Sequence, residues 1–548
     1  MADFYWVNGT GNWSDFTNKW RIGGTGGTVP ANAPTSADNV FFVDGSAAGT
    51  FTVTITAGST CANFDASGIT DAAKRMTLAG SGSLNVAGSW INPAGAFYQG
   101  TFSSAVTFSS TTTGNTITTN GVLFSTSGNA SITFNGIGGG WTLADALTFS
   151  GVNNTVTLTN GALDLGGFTL STAIFSSNNS NVRSIAFGST GAIVISGTTG
   201  AVWQMATLTN FSYTGTSSVT ILSGSFQHGN TAGGTEARAI NFTISASASG
   251  FSGGSHIRNF TTSPSFAGTI GLTGIFYGDV TIGPLTNIGA TTASAIFQGS
   301  GAQNITMNGR SADQPLTFLG TGTVTLVDNF TTGATRLITL TSGTLNLNGN
   351  TLTGGTFASG GVVARTLAFG TSGAVTLAGS GTTAWNATGS GLTTSGAGTI
   401  NMTSLGNKTF VGGGYNYAAA LNQGGAGQLT ITGNNTFQDI TNTFGATGST
   451  VITFAAGSVQ TVGRFTASGV AGTTLSLIST IPGTRFTLIC PFGRNSVNFC
   501  IIRDSMVLGG ARWLALLANG NVNNGNNIGW IYAEKFARTL LRLRRWMV

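Results

Sequence analysis

Carboxylate side chains are the residues of this chain best suited to chemistry, because two of them held roughly 5–10 Å apart hydrolyse a glycosidic bond. Glu236 and Glu534 are the only glutamates, and the aspartates are scattered along 548 residues. Asp145 and Asp164 fall in the repetitive middle of the chain and could line a groove together with a neighbouring segment. We favour a role in turns, where aspartate accepts hydrogen bonds from nearby backbone N–H groups. The sequence therefore predicts no catalytic residue, with a glycan-cleaving site as the enzymatic alternative.

Histidine and cysteine do not form a metal-binding pattern. His228 and His256 are 28 positions apart and have no Cys or acidic partner at metal-ligand spacing. Three cysteines are too few for a disulfide framework. Cys490 and Cys500 could pair across a hairpin, but we favour buried free thiols. We predict neither a metal site nor a cofactor.

Two tryptophans, Trp203 and Trp385, have two interpretations. On an exposed face they would stack against sugar rings, and in the interior they would fill the core. We favour the core, because aromatic side chains bury large apolar surfaces.

Charge is rare and concentrated at one end. Charged residues make up 7% of the chain and the formal net charge is +6, whereas about 25% is usual in globular proteins. Five of the 21 basic residues lie within the last fourteen positions, so the rest of the chain is nearly neutral. This distribution argues against a nucleic-acid groove.

The elements that must position these residues are short strands. In "GTLNLNGNTLT" (343–353), apolar and polar residues alternate, which predicts Leu345 and Leu347 on the inner face of a strand and Asn346 on the outer face. Asn348 and Gly349 follow and predict a tight bend, because both tolerate positive φ. Similar phrases recur at 154–167 and 427–437.

This repetition favours one continuous solenoid over a string of sandwich domains, since the chain has no evident linker and only eight prolines. We predict an all-β fold, a right-handed parallel β-helix in which each coil covers the inward side chains of the next. Outward positions then form ladders of like residues, where stacked charges would repel but Thr, Ser and Asn would not. The low charge is what such a stack requires.

A long internal repeat supports this prediction. Residues 154–203 are echoed at 336–385, and "VRSIAFGSTGAIVISGTTGAVW" (182–203) aligns without a gap on "ARTLAFGTSGAVTLAGSGTTAW" (364–385). Arg183 matches Arg365, and Trp203 matches Trp385. The period of 182 residues is long enough to cover several coils, which indicates a duplicated block.

The two ends differ from the middle. Trp6, Trp13 and Trp20 recur every seven residues near the N-terminus, as expected of a cap over the terminal coil. We predict four regions: a Trp-rich N-terminal cap at 1–60, a β-solenoid at 61–460, a C-terminal β module at 461–532 and a basic amphipathic helix at 533–548.

Phrases at both ends and in the duplicated block carry a family resemblance. "YWVNGTGNW" (5–13), "SIAFGSTGAI" (184–193), "TLAFGTSGAV" (366–375) and the close "IRDS…GGARW…NNGNNIGWIY" (502–532) resemble structural proteins of tailed bacteriophages, of the tail fibre or tailspike type. The resemblance implies a virion protein on the outside of the particle that attaches to a host surface glycan or receptor.

That resemblance also implies a homotrimer, which contacts other virion proteins and could assemble a glycan-cleaving site between subunits. Secreted bacterial adhesins contain related Gly- and Asn-rich strings and are the other alternative. The chain shows no secretion signal and no C-terminal stretch for a translocating barrel. We therefore expect a virion protein rather than an adhesin.

The last segment, "AEKFARTLLRLRRWMV" (533–548), predicts a helix with an apolar stripe and a basic face. We expect it to dock onto its own assembly, with a membrane or an acidic virion protein as alternatives. The candidate docking residues are those of the stripe and of the basic face: Phe536, Arg538, Leu540, Arg542, Leu543, Arg545 and Met547.

Overall fold

The computed structural model describes residues 1–533 apart from 96–97, 104, 252 and 380–382. It divides into two compact units, Met1–Asn287 (unit 1) and Ile288–Val548 (unit 2). The chain is nearly all β, with 48% strand and 4% helix, and its parallel stacked coils make about 21 turns of β-solenoid. The predicted fold class is confirmed, whereas its handedness and the four region boundaries stay predictions. Residues 534–548, with the predicted helix, lie outside the described residues.

Unit 1 has three faces, each a stack of parallel strands. Face 1 contains Asp3–Trp6, Asn39–Val43, Phe64–Gly68, Trp90–Ile91, Asn115–Thr118, Arg183–Ala186 and Phe211–Thr214. Face 2 contains Ser59–Cys61, Leu84–Val86, Ala105–Phe108, Ile174–Ser176 and Ala201–Thr207. Face 3 contains Gly11–Asn12, Phe51–Thr54, Met76–Ala79, Tyr98–Gly100, Leu147–Thr148, Thr169–Thr172, Ala192–Ile195, His256–Thr262 and Val280–Thr281. The longer strands that contribute to two faces include Ser131–Leu143, Thr155–Asp164, Val219–Ala232 and Ile240–Phe251. The remaining strands are Trp20–Ile22, Thr269–Ile270, Ile275–Phe276 and Asn287–Ile288, the last of which ends in unit 2.

Unit 2 also has three faces of parallel strands. Face A contains Ala295–Phe297, Leu316–Phe318, Leu337–Leu340, Thr356–Ala358, Trp385–Asn386, Lys408–Val411, Leu429–Thr432, Thr450–Phe454, Leu475–Ser479, Cys500–Ile502 and Val522–Asn523. Face B contains Ala302–Thr306, Thr323–Leu326, Gly343–Asn346, Arg365–Ala368 and Leu392–Ser395. Face C contains Ser311–Ala312, Phe330–Thr332, Thr351–Gly354, Ala374–Leu377, Gly398–Met402, Ala419–Gln423, Thr436–Asn442, Val459–Phe465, Phe486–Ile489 and Ser505–Leu508. A separate parallel pair joins Arg494–Ser496 and Arg512–Leu514.

Helices are short. Among the described residues, the α-helix is Phe16–Lys19, and the 3-10 turns are Asp44–Ser46, Ala72–Lys74, Glu236–Arg238, Phe444–Ala446 and Leu517–Asn519. None of the helices in the described ranges has the length and hydropathy needed to cross a membrane.

The core follows from the alternation of apolar and polar residues along each strand. Leu345 is fully buried, and its register neighbours on the adjacent coils are Val324 and Leu367, both also buried. Asn346, one position along, is only half-buried. The predicted inward and outward positions are confirmed. Complete burial of one such side chain contributes roughly 1.5–3 kcal/mol, so the ladder stabilises every coil it joins.

The predicted bend after this strand is also present. Asn348 has φ +52° and Gly349 has φ +84°, the left-handed region that favours these two residue types. The backbone N–H of Asn348 donates to Oδ1 of Asn346 at 2.9 Å and closes the turn.

The duplicated block folds as two equivalent segments. In unit 1, Leu163 pairs with Ile185 and Phe175 pairs with Trp203. In unit 2, the residues 182 positions later repeat both pairings, Leu345 with Leu367 and Phe357 with Trp385. The two similar sequences therefore adopt the same register, as the ungapped repeat predicted.

An aromatic cluster forms at the first coil of unit 1. The Trp20 ring lies 5.0 Å from Trp6 and 5.1 Å from Trp13, in edge-on contacts, and all three tryptophans are buried. The strand that carries Trp6 pairs antiparallel with the strand of Trp20 and parallel with Asn39–Val43. The three tryptophans thus cover the first parallel coil.

Outward polar ladders match the low charge. Asn63 donates from its side-chain amide to Oδ1 of Asn39 at 2.8 Å, and the hydroxyls of Thr366 and Thr393 lie 2.8 Å apart. Each pair joins side chains on adjacent coils, where like charges would repel.

Candidate functional site

The two aspartates proposed as possible catalytic groups both accept hydrogen bonds from backbone N–H groups. Asp145 accepts hydrogen bonds from the N–H groups of Thr119 at 2.7 Å and Gly121 at 3.2 Å. Asp164 accepts one from Gly166 at 2.9 Å. The expected local turn contact is confirmed for Asp164, whereas the donors to Asp145 lie 26 and 24 residues earlier, on another coil.

Asp164 also lacks a second carboxylate along its ladder. Its register neighbours on the adjacent coils are Thr142 and Ala186. A glycosidase needs two carboxyl groups close together, and this ladder does not bring two together.

Trp203 and Trp385 are both fully buried, so the core interpretation is confirmed and stacking of sugars on these two rings is excluded. Trp203 stacks on Phe175 at 4.7 Å and Trp385 stacks on Phe357 at 4.2 Å. The indole Nε1 of Trp203 donates to Nδ1 of His228 at 3.3 Å. That of Trp385 donates to the hydroxyl of Tyr417 at 3.2 Å.

His228 is a buried neutral imidazole. Because its Nδ1 accepts from Trp203, its Nε2 carries the proton and donates to the carbonyl of Arg238 at 2.9 Å. Burial lowers the pKa of His228 to about 3. The second histidine, His256, instead contacts the hydroxyl of Tyr277 through Nδ1 at 2.7 Å. Both histidines have partners within the fold, and across the described residues no three His, Cys, Asp or Glu side chains are grouped as a metal site would require.

The cysteines Cys61, Cys490 and Cys500 are buried free thiols, as expected. Burial raises the pKa of Cys500 to about 12, which keeps this thiol protonated and poorly nucleophilic at neutral pH.

The docking residues predicted from the sequence cannot be placed on this fold. All of them, Phe536, Arg538, Leu540, Arg542, Leu543, Arg545 and Met547, lie outside the described residues.

A surface groove in unit 2 is a concave site that the sequence did not indicate. Its volume is about 450 Å³, and it crosses successive coils on face C. We call it the face C groove. Its lining comes from four segments of the chain: 416–418, 436–438, 461–463 and 491–492.

Strand register arranges the lining of the face C groove in two ladders. Asn416, Thr436 and Thr461 are register partners on successive coils. Ala418, Gln438 and Gly463 lie two residues further along the same three segments. Neighbouring strands are about 4.8 Å apart, so each ladder presents one side chain per coil step.

Small residues make the groove concave beside Gln438. Ala418 and Gly463 lie in the segments before and after it, and a Cβ added at Gly463 would meet the backbone oxygen of Gln438 at 3.0 Å. Gly463 therefore allows close approach of the two coils. Gln438 itself is exposed.

The end of the groove is formed by Pro491 and Phe492. The Phe492 ring is 75% exposed. Its loop is positioned by the buried thiol of Cys490, whose Sγ lies within hydrogen-bonding distance of the carbonyls of Gly463 at 3.4 Å and Phe492 at 3.3 Å. The contact to Gly463 joins the loop of Pro491 and Phe492 to the neighbouring coil of the groove.

Comparison with family models, curated proteins and solved structures found no match to this chain. What the structure defines is a class: a parallel β-solenoid of two units, with a filled interior and a shallow uncharged groove on one face of unit 2.

Proposed function

We propose that this chain is a structural component of the exterior of a tailed-phage particle, of the fibre or spike type, and that it attaches to the host surface. The observation that carries the proposal is face C of unit 2, in which ten parallel strands from Ser311 to Leu508 pair in unbroken succession. Such a stack distributes load over many backbone hydrogen bonds, which suits a rigid external element. The phage-like phrases in the sequence support the same proposal.

The filled interior agrees with a mechanical role. Trp385 is stacked between Phe357 at 4.2 Å and Phe410 at 5.4 Å, so aromatic rings continue from coil to coil. The groove described above lies on the surface rather than in this core. Contact with a partner therefore takes place on the outside of the coils.

Mass spectrometry of phage particles purified on a density gradient tests this proposal. We expect peptides of this chain to co-purify with the tail proteins in a fixed ratio that persists through high-salt washing. Presence of the chain in the lysate but not in washed particles would refute a virion role. A matched gradient of uninfected lysate identifies peptides that merely co-sediment.

We also propose that the chain assembles as a homotrimer, as the resemblance implies. Native mass spectrometry at micromolar concentration should then show a species of three 55.3 kDa chains. A 55.3 kDa species alone at that concentration would contradict the trimer.

A further inference from the structure

We infer that the face C groove binds an uncharged saccharide chain that lies along the stacked coils. This inference rests on the proposed function, because it identifies the host-surface ligand of the proposed attachment. It derives from the polar groups, the exposed ring, the spacing and the charge of the groove.

The polar groups of the groove are available to a ligand. Asn416 and Gln438 are exposed, and within the described part of the chain their side-chain amides make no hydrogen bond. The hydroxyls of Thr436 and Thr461 are likewise without a partner among the described residues. Amides and hydroxyls both donate and accept, as sugar hydroxyls do.

An apolar surface completes the site. The exposed Phe492 ring lies at the end of the groove, next to Pro491. An aromatic face packs against the C–H groups of a pyranose ring, while the rim of hydroxyls on the sugar meets the polar side chains. Ligand sites commonly combine apolar surface with a few oriented polar groups in this way.

The spacing of the ladders suits a polymer of sugars. The groove crosses successive coils, and the strand spacing of about 4.8 Å is similar to the length of one pyranose unit. Each sugar would therefore meet an equivalent position on the next coil, first at Asn416, then at Thr436 and then at Thr461.

No residue of the groove lining is ionisable apart from the buried Tyr417, and the neighbouring Arg464 is paired with Asp439. The nearest carboxylate in the strand, Asp439, is buried and accepts from Arg464 at 3.1 Å and from the Thr466 hydroxyl at 2.8 Å. A neutral saccharide matches this lining.

A peptide strand is a poorer occupant. Extended peptides bind by adding to a free sheet edge through backbone hydrogen bonds. Here the coil of Thr436 pairs with Asn416 on one side and Thr461 on the other, and Thr461 pairs onward with Ile489. Backbone groups are thus already used, and side chains remain for recognition.

Calorimetric titration of the full-length protein tests the inference. The probes are neutral tetrasaccharides of glucose, galactose, mannose and N-acetylglucosamine, with oligosaccharides of glucuronate and sialic acid as charged comparisons. We expect at least one neutral tetrasaccharide to bind and the charged ones not to bind. Binding of charged oligosaccharides alone, or of none of the probes, would overturn the inference.

Variants locate the binding. Phe492→Ala should weaken affinity about tenfold, the size of a lost aromatic contact, and Gln438→Ala should weaken it as well. Phe168→Ala is the matched control, because Phe168 is a 40% exposed phenylalanine in unit 1. Thermal unfolding confirms that each variant is folded. Equal effects of Phe492→Ala and Phe168→Ala would show that the sugar does not bind in this groove.

The two proposals fail separately. Saccharide binding without the chain in purified particles would reject the virion role but keep the groove. If the chain is present in purified particles but its groove binds none of the neutral probes, the virion role is kept and the saccharide site is rejected.

Discussion

Arg183 and Arg365, 182 residues apart, make the same buried hydrogen bonds in two different coils. The Nε of each donates to the hydroxyl of the serine six positions earlier, Ser177 at 2.7 Å and Ser359 at 2.5 Å. Each guanidinium also donates to the carbonyl of that same serine. Arg183 is 1% exposed and Arg365 is 2% exposed. The duplicated block thus repeats a polar clamp inside the solenoid as well as its apolar ladders.

Replacing Arg365 by Met should destabilise unit 2. Arg365 donates to the carbonyls of Val363 and Ser390, both at 2.7 Å, and so joins two successive corners of the solenoid. Without the guanidinium these carbonyls are left unsatisfied, and we expect a loss of about 3 kcal/mol in the free energy of unfolding. Arg494→Met, at an exposed position, is the control. Equal urea midpoints for the two variants would show that the clamp does not stabilise the fold.

Replacing Leu345 by Asp should disrupt its own coil and both neighbours. The change buries an unpaired charge between Val324 and Leu367, at a cost of several kcal/mol. Asn346→Ser is the control, because a serine hydroxyl can also accept from the Asn348 N–H. Circular dichroism during urea unfolding measures both. If the two substitutions change the free energy of unfolding by similar amounts, the inward position of Leu345 and the outward position of Asn346 would be contradicted.

Acid should destabilise unit 1 through His228. Its pKa falls from 6.5 to about 3 on folding, so the unfolded chain binds the proton more readily. The stability contributed by the neutral ring is fully present above pH 6.5 and is lost as the pH falls from 6.5 towards 3. The charged and titratable groups that act on the ring are Arg183 and His256.

Urea unfolding between pH 4 and pH 7 measures this effect in wild type and in His228→Gln. Glutamine keeps a donor for the Arg238 carbonyl and an acceptor for the Trp203 indole without titrating. We expect wild type to lose more stability than the variant below pH 6.5. Parallel profiles of stability against pH for wild type and His228→Gln would contradict the assignment of this pH dependence to His228.

Alkali should stabilise unit 2 through Lys408, with the same sign of pH dependence as His228. This side chain is 2% exposed and its Nζ donates to the carbonyls of Ser404 at 2.8 Å and Gly427 at 3.0 Å. Burial lowers the pKa of Lys408 from 10.5 to about 8. Between pH 8 and 10.5 the unfolded chain binds more protons than the folded one, so this group makes stability rise with pH. This rise should be absent in Lys408→Met. If the free energy of unfolding measured with urea changes equally with pH in wild type and in the variant, the role of Lys408 is refuted.

Local features were predictable from the sequence. The positions of Leu345 and Asn346 follow from strand alternation, and the bend at Asn348 follows from its tolerance of positive φ. Burial of Trp203 was favoured correctly because a large ring in a repetitive strand most readily fills the core. These predictions depend on residues that are close together in the chain.

The face C groove was not predictable in the same way. Asn416, Thr436 and Thr461 are ordinary residues for this composition, and they become neighbours only through the register of successive coils. Coil lengths vary, so the register could not be derived from spacing. Phe492, an exposed phenylalanine after Pro491, was the one local signal. The match of Arg183 with Arg365 was visible in the sequence, but the hydrogen bond that joins Arg365 to the Ser390 carbonyl on the next coil was not.

Immunogold electron microscopy of intact purified phage particles tests the central claim, an exterior position in the virion, most directly. Antibodies raised against the full-length chain should label the tails of undisrupted particles, and pre-incubation with the purified chain should abolish the label. Label that appears only after the particles are broken open, or that is found on uninfected cells, would contradict the account.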